Sequence, residues 1–153
     1  MKKQDTIFDK IVSGEIPSWK VWEDAKYLAF LTPFPNTKGQ TIVIPKKYVG
    51  EYIFSVSNKD YLELLTAAKK VAKVLEKAFN TPKVALVFEG TGVAYVHAKL
   101  YPLHGKLAGE TNMFTRHVEF YPEYVGHLST VEGPRMSDKD LDEVRDLIVT
   151  SQA

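Results

Sequence analysis

The feature that most constrains the fold of this chain is a run of apolar residues at helical spacing, with a helix signal at each end. Ser57 followed by Asp60 resembles a capping box with aspartate in place of glutamate, and Asn80 with Pro82 marks the end. The apolar positions recur every three or four residues: Tyr61, Leu64, Leu65, Ala68, Val71, Ala72, Leu75, Ala78 and Phe79. We therefore predict one long amphipathic helix, which requires an apolar surface to cover.

Several short β-branched and aromatic segments can supply that surface. They are bounded by turn residues and lie at residues 21–23, 27–31, 41–44, 84–88 and 93–102. A short helical turn over Phe8–Gly14 precedes them, and glycine ends it. The sequence therefore predicts the α+β class: an antiparallel sheet of about five strands with one long helix.

After Pro102 the chain is interrupted repeatedly by glycine and proline. Residues 116–120 could form one further strand, and Ser137 with Asp140 begins a last amphipathic helix. We predict a domain over residues 1–110, with residues 111–153 as a C-terminal helical extension packed on that same domain.

Composition excludes several functions. The chain has no cysteine and a formal net charge of +1, so disulfides, thiolate metal sites and a bulk attraction to nucleic acid are not expected. The basic N-terminus lacks the apolar run of a signal peptide, and no segment approaches the length that spans a bilayer. We expect a cytoplasmic protein with no nucleic-acid or membrane partner.

Residues 93–102 alternate tightly, and alternate side chains of a strand share one face. Tyr95, His97 and Lys99 would then line one surface. The intervening positions would face the core: Val96, Ala98 and Leu100. An imidazole between a phenol and an ammonium could present a nucleophile beside an anion-binding charge, or could belong to the solvent side of an ordinary strand.

A series of short motifs places this strand in context. They occur in order at residues 5–11, 15–17, 23–24, 28–31 and 41–47, and end in the run Ile44-Pro45-Lys46-Lys47. In order and spacing the chain resembles the histidine-triad (HIT) family over about residues 5–104. That family carries H-x-H-x-H before a proline, where this chain has Tyr95, His97 and Lys99.

The resemblance implies a nucleotide-binding cleft on an antiparallel sheet, usually in a homodimer. In the family, the middle histidine attacks the α-phosphorus of a nucleoside phosphoramidate or dinucleoside polyphosphate. A covalent nucleotidyl-histidine forms, which water or another acceptor resolves. His97 matches that histidine, and the Tyr95 carbonyl can supply the hydrogen bond that orients its ring. No cofactor is implied, and the structural zinc of some relatives is not expected because Thr6 and Asp9 replace its cysteines.

The chain also departs from the family pattern. Tyr95 and Lys99 replace the flanking histidines, so we assign them supporting roles. Lys99 could contact a phosphate oxygen but is a poor proton donor, because the ordinary lysine pKa is about 10.4. In the shortened loop before the strand, Glu89 stands where a neutral amide is usual, and Thr91 follows it. Glu89 would repel a phosphate unless it turns away or engages the nucleoside.

The remaining nucleotide contacts are also carried over from the resemblance. Thr32 aligns with the aspartate that holds the ribose hydroxyls and cannot provide a bidentate carboxylate. The expected apolar wall around the base consists of four residues: Phe8, Ile11, Leu31 and Pro33.

His104, just beyond the signature strand, could fold back over the cleft, although a zinc site with His97 lacks an obvious third ligand. Three functions therefore stay open: an active nucleotide hydrolase or nucleotidyltransferase, a nucleotide-binding module without turnover, and an interaction scaffold.

Overall fold

The computed structural model of the protein describes residues 5–109, 119–128, 134–150 and 152. The chain divides into two compact units, residues 1–110 and residues 111–153. The elements of the first unit are α1 (Ile7–Ser13), β1 (Trp19–Glu23), β2 (Tyr27–Leu31), β3 (Thr41–Pro45), α2 (Asn58–Phe79), β4 (Val84–Val87), β5 (Ala98–Pro102) and a 3₁₀ turn (Lys106–Gly109). In the second unit, the structure describes α3 (Asp138–Thr150). The strand predicted over residues 116–120 begins on residues that lie outside the described part of the chain.

The strands form one antiparallel sheet in the order β1-β2-β3-β5-β4. The predicted α+β class and the five-stranded antiparallel sheet are thereby confirmed. The packing of residues 111–153 on the first unit stays a prediction.

Helix α2 covers one face of the sheet, as its apolar spacing requires. Its buried side chains are Leu64, Ala67, Ala68, Val71 and Leu75, and they pack in one cluster with residues of β2, β3 and β5. The Ser57 hydroxyl accepts the N–H of Asp60 at 3.1 Å, and Asn80 ends the helix in the left-handed conformation. Both helix ends therefore match the sequence prediction.

Helix α1 covers the opposite face and creates a second core. Thr6 and Asp9 form a reciprocal capping box at its start, and Gly14 ends it with a φ of 80°. Its one buried residue, Phe8, packs with Leu28, Phe30, Ile44 and Tyr95. The sheet is therefore covered on both sides at the point where β5 begins.

The prediction of a strand over residues 93–102 is wrong in its first half, because β5 begins only at Ala98. The pairing of β3 with β5 extends from Thr41–Leu100 to Val43–Ala98. It does not extend to the end of β3, where Pro45 has no N–H to donate to a ladder. Residues 93–95 instead form tight turns, in which the N–H groups of Val93 and Tyr95 bond the carbonyls two residues earlier.

The expected open face with Tyr95 on it is also wrong. Tyr95 is 0% exposed, because α1 lies over the side of the sheet that the alternation assigned to solvent. The alternation itself is retained: Val96, Ala98 and Leu100 face the core under α2. A period of two distinguishes the two faces of a strand but does not show which of them is covered.

Candidate functional site

The segment that carries His97 is held by the last residue of β3 and the residues just after it. The Tyr95 hydroxyl donates to the Pro45 carbonyl at 2.6 Å, and the Val96 N–H donates to the Gly50 carbonyl at 2.8 Å. The Tyr48 ring meets the Tyr95 ring edge to face, with 5.3 Å between centroids. Residues 45–50 therefore hold the segment that carries His97 in place. Sequence analysis missed this role, because the contacts join residues about fifty positions apart.

The imidazole of His97 has a fixed orientation. Its Nδ1 lies 2.7 Å from the Tyr95 carbonyl oxygen, and a carbonyl can only accept a hydrogen bond. Nδ1 therefore carries the proton, and in the neutral ring Nε2 holds the lone pair. The Phe8 ring packs edge-on against the imidazole at 5.3 Å, and His97 is 5% exposed. The arrangement presents one nitrogen as a nucleophile.

Burial lowers the pKa of His97 below its ordinary value, and the nearby Lys99 charge acts in the same direction. The hydrogen bond to Tyr95 and the Glu89 carboxylate act in the opposite direction and are the weaker influence. The neutral, nucleophilic form of His97 is therefore favoured at pH 7.

We expect the imidazole of His97 to titrate with a midpoint below about 6.5 in the folded protein, and near that value in urea-unfolded protein. Because the folded pKa is the lower one, His97 contributes stability above about pH 6.5 that is lost as the pH falls through the folded pKa. Nitrogen-15 NMR of the ring gives the midpoint and the tautomer together. A folded midpoint at or above the unfolded one would contradict this expectation.

Lys99 and Glu89 form an ion pair beside His97. The Lys99 Nζ lies 2.6 Å from Glu89 Oε2, and the side chains are 20% and 15% exposed. The predicted repulsive carboxylate is therefore paired with the predicted phosphate-binding cation. The two changes from the family pattern compensate each other electrostatically, and a phosphate would have to share Lys99 with Glu89.

The structure brings only part of the expected nucleotide site together. Phe8 contacts His97, and Ile11 packs on the same core cluster. Thr32 lies just after β2, and its hydroxyl oxygen already accepts a hydrogen bond from the Phe34 N–H at 3.2 Å. The other three expected residues are Leu31, which is half-buried, Pro33 and Thr91, which are exposed.

His104 does not fold back toward His97. Its ring bonds the Lys38 carbonyl at 2.8 Å and packs edge-on against Phe79, at the C-terminal end of α2. Within the described ranges, no three His, Cys, Asp or Glu side chains are grouped closely enough to hold a metal ion. The two imidazoles contact different cores on opposite faces of the sheet.

A cavity of about 330 Å³ lies where the chain leaves α1, and sequence analysis did not predict it. Its apolar wall includes Ile11 and Leu28, and Glu23 lies on its polar side between Lys20 and Lys46. The hydrogen bonds from these two lysines lower the pKa of Glu23 to about 2. Among the residues expected to bind nucleotide, Ile11 alone lines this cavity.

Comparison with known proteins resolves the family. The model of the HIT domain matches residues 13–104, which contain the sheet, α2 and His97. The chain belongs to the HIT family. An uncharacterised HIT-like protein of Methanocaldococcus jannaschii is 34% identical over 140 residues, which cover 90% of this chain and 94% of that protein. The crystal structure of a HIT family member from Bacillus subtilis has a TM-score of 0.64 at 27% identity, covering 96% of both chains.

A shorter match joins this HIT protein to an adenosine 5′-monophosphoramidase of Schizosaccharomyces pombe. The two are 41% identical over 69 residues, which cover 45% of this chain and 51% of that enzyme. Family membership thus relates the HIT domain to nucleotide-acting hydrolases.

None of the helices in the described ranges has the length and apolar composition needed to cross a membrane.

Proposed function

We propose that this HIT protein is a nucleotide hydrolase or nucleotidyltransferase that acts through a covalent nucleotidyl-histidine at His97. The observation that carries the proposal is the bond from Nδ1 of His97 to the Tyr95 carbonyl, which leaves Nε2 with the lone pair. Burial favours the neutral form of the ring. The family match and the monophosphoramidase relative support nucleotides or nucleotide conjugates as substrates.

In the proposed first step, the Nε2 lone pair attacks the α-phosphorus of the substrate. The bond from phosphorus to the leaving group breaks, and that group departs with the electron pair. In the second step, water or another acceptor attacks the same phosphorus, loses a proton to solvent and returns the electron pair to Nε2. Nδ1 keeps its proton and its bond to the Tyr95 carbonyl throughout, so the ring stays in place.

The other expected site residues support substrate binding in this proposal. Phe8 and Ile11, with Leu31 and Pro33, would provide apolar surface for the base, and Thr32 one hydroxyl for the ribose. Lys99 would stabilise negative charge on the phosphate in the transition state while it stays paired with Glu89. Thr91 is exposed and lies just before the segment that carries His97, where it would contact the phosphates.

The test is to incubate the protein with isotopically labelled adenosine nucleotide conjugates, quench in base and measure the intact mass. We expect a mass increase of one nucleotidyl group, mapped to His97 by peptide sequencing, since phosphorus–nitrogen bonds survive base and break in acid. The acid-quenched sample is the matched control and should lose the label. Label on another residue, or none during measurable hydrolysis, would exclude the proposed intermediate.

The alternatives predict different outcomes of this experiment. A nucleotide-binding module binds nucleotide without adduct or turnover. The observations that favour it are the Glu89–Lys99 ion pair and the presence of Thr32 where the family has an aspartate. An interaction scaffold shows neither binding nor adduct. The homodimer implied by the family resemblance and the cytoplasmic location stay predictions.

A further inference from the structure

The arrangement around His97 also bears on which leaving group the site can release, an inference that rests on the proposed function. We infer that the site is selective for nucleoside 5′-phosphoanhydrides, whose leaving group departs as a stable unprotonated anion, over phosphoramidates, whose amine must be protonated to leave. Lys99, with Glu89, is the residue that sets this selectivity.

Two proton-bearing groups next to the nucleophile are each committed to another partner. Nδ1 of His97 donates to the Tyr95 carbonyl, while Nε2 is the atom that forms the bond to phosphorus. The Tyr95 hydroxyl is buried and donates to the Pro45 carbonyl. Neither group can deliver a proton to a departing atom on the far side of phosphorus.

A third proton-bearing group is the ammonium of Lys99, which belongs to the ion pair. The ammonium of Lys99 donates to Glu89 at 2.6 Å, and both side chains are largely shielded from solvent. A leaving group would have to compete with the Glu89 carboxylate for the ammonium of Lys99. Lysine is also intrinsically a weaker acid than imidazolium by about four pK units. The pair can stabilise charge, but it is a poor source of protons.

The two substrate classes differ in whether they need charge stabilisation or proton donation. When an anhydride is cleaved, the bridging oxygen takes the electron pair and leaves as a phosphate or carboxylate anion, and a nearby fixed cation stabilises it. When a phosphoramidate is cleaved, nitrogen takes the electron pair and becomes a usable leaving group only with an added proton. An ammonium held in an ion pair therefore promotes cleavage of the anhydride but not of the phosphoramidate.

The experiment measures kcat/KM and the pre-steady-state rate of adduct formation for diadenosine tetraphosphate and an adenosine 5′-phosphoramidate of a simple primary amine. We expect the anhydride to be preferred by at least about 100-fold, a value typical for loss of general acid catalysis. In Lys99→His, an imidazole can donate the proton, so the preference should shrink by about tenfold or more. Lys69→His, on the exposed face of α2, is the matched control and should leave the preference unchanged.

A second variant separates proton donation from the loss of the cation. Lys99→Gln removes both charge and proton, and we expect the rates for both substrates to fall together with no gain on the phosphoramidate. Equal rates for the two substrates in the unmodified protein, or an unchanged ratio in Lys99→His, would overturn the inference while an adduct on His97 still supports the proposed function. No adduct from either substrate would overturn both.

Discussion

Replacing His97 with alanine should abolish the nucleotidyl adduct and lower hydrolysis by about 10³-fold or more, because the proposed reaction has no other nucleophile. The loss should appear in kcat, since the proposed nucleotide contacts at Ile11, Leu31 and Pro33 are unchanged in this variant. Steady-state kinetics measures kcat, and a titration of the protein with nucleotide measures the binding affinity. Unchanged hydrolysis in His97→Ala would disprove the mechanism.

His104→Ala is the matched control for this variant. It removes an imidazole of the same size, one that bonds the Lys38 carbonyl and packs on Phe79, away from the residues that orient His97. We expect turnover within about twofold of the unmodified protein. Thermal melts of both variants show whether a loss of activity reflects unfolding, and partial rescue of His97→Gly by added imidazole would tie the loss to the missing ring.

The largest expected effect on stability is at Gly39. Its φ is 84°, and an added Cβ would lie 2.5 Å from Cζ of Phe79, well inside van der Waals contact. The Phe79 ring is packed against the His104 ring at 5.3 Å, so it has little room to move away. We expect Gly39→Ala to lower the free energy of unfolding by about 3 kcal/mol, the sum of left-handed backbone strain and overpacking.

Gly14→Ala isolates the backbone part of that loss. Gly14 has nearly the same φ, 80°, but an added Cβ there would meet no atom within 4 Å. We expect a loss of about 1 kcal/mol, from the conformation alone. Urea unfolding followed by tryptophan fluorescence is suited to the comparison, since both tryptophans, Trp19 and Trp22, lie in β1. Equal losses in the two variants would show that Phe79 does not resist the added methyl group.

The sequence predicted best those elements whose signals are local. Helix α2 has its start signal at Ser57, its apolar period and its stop at Asn80 within one segment. Strand β2 was predicted within its observed limits, Tyr27–Leu31, because turn residues bound it on both sides. The motif order likewise predicted the family.

Two of the errors arise because they depend on residues distant in sequence. The start of β5 is set by where β3 ends, and Tyr95 is buried by a helix near the N-terminus. The Glu89–Lys99 pair was missed because each residue was judged against a phosphate and not against the other. Neither hydrophobic period nor charge pattern reports such contacts when no strand register is known.

The hydrogen bond from His97 to residue 95 has a consequence for how such a site can change over evolutionary time. The acceptor is a main-chain oxygen, which every amino acid at position 95 would provide. The side chain there meets a separate demand, to fill a buried space and reach the Pro45 carbonyl, which a phenol satisfies. A tyrosine at the position of the first histidine of the family pattern is therefore compatible with the same tautomer of His97.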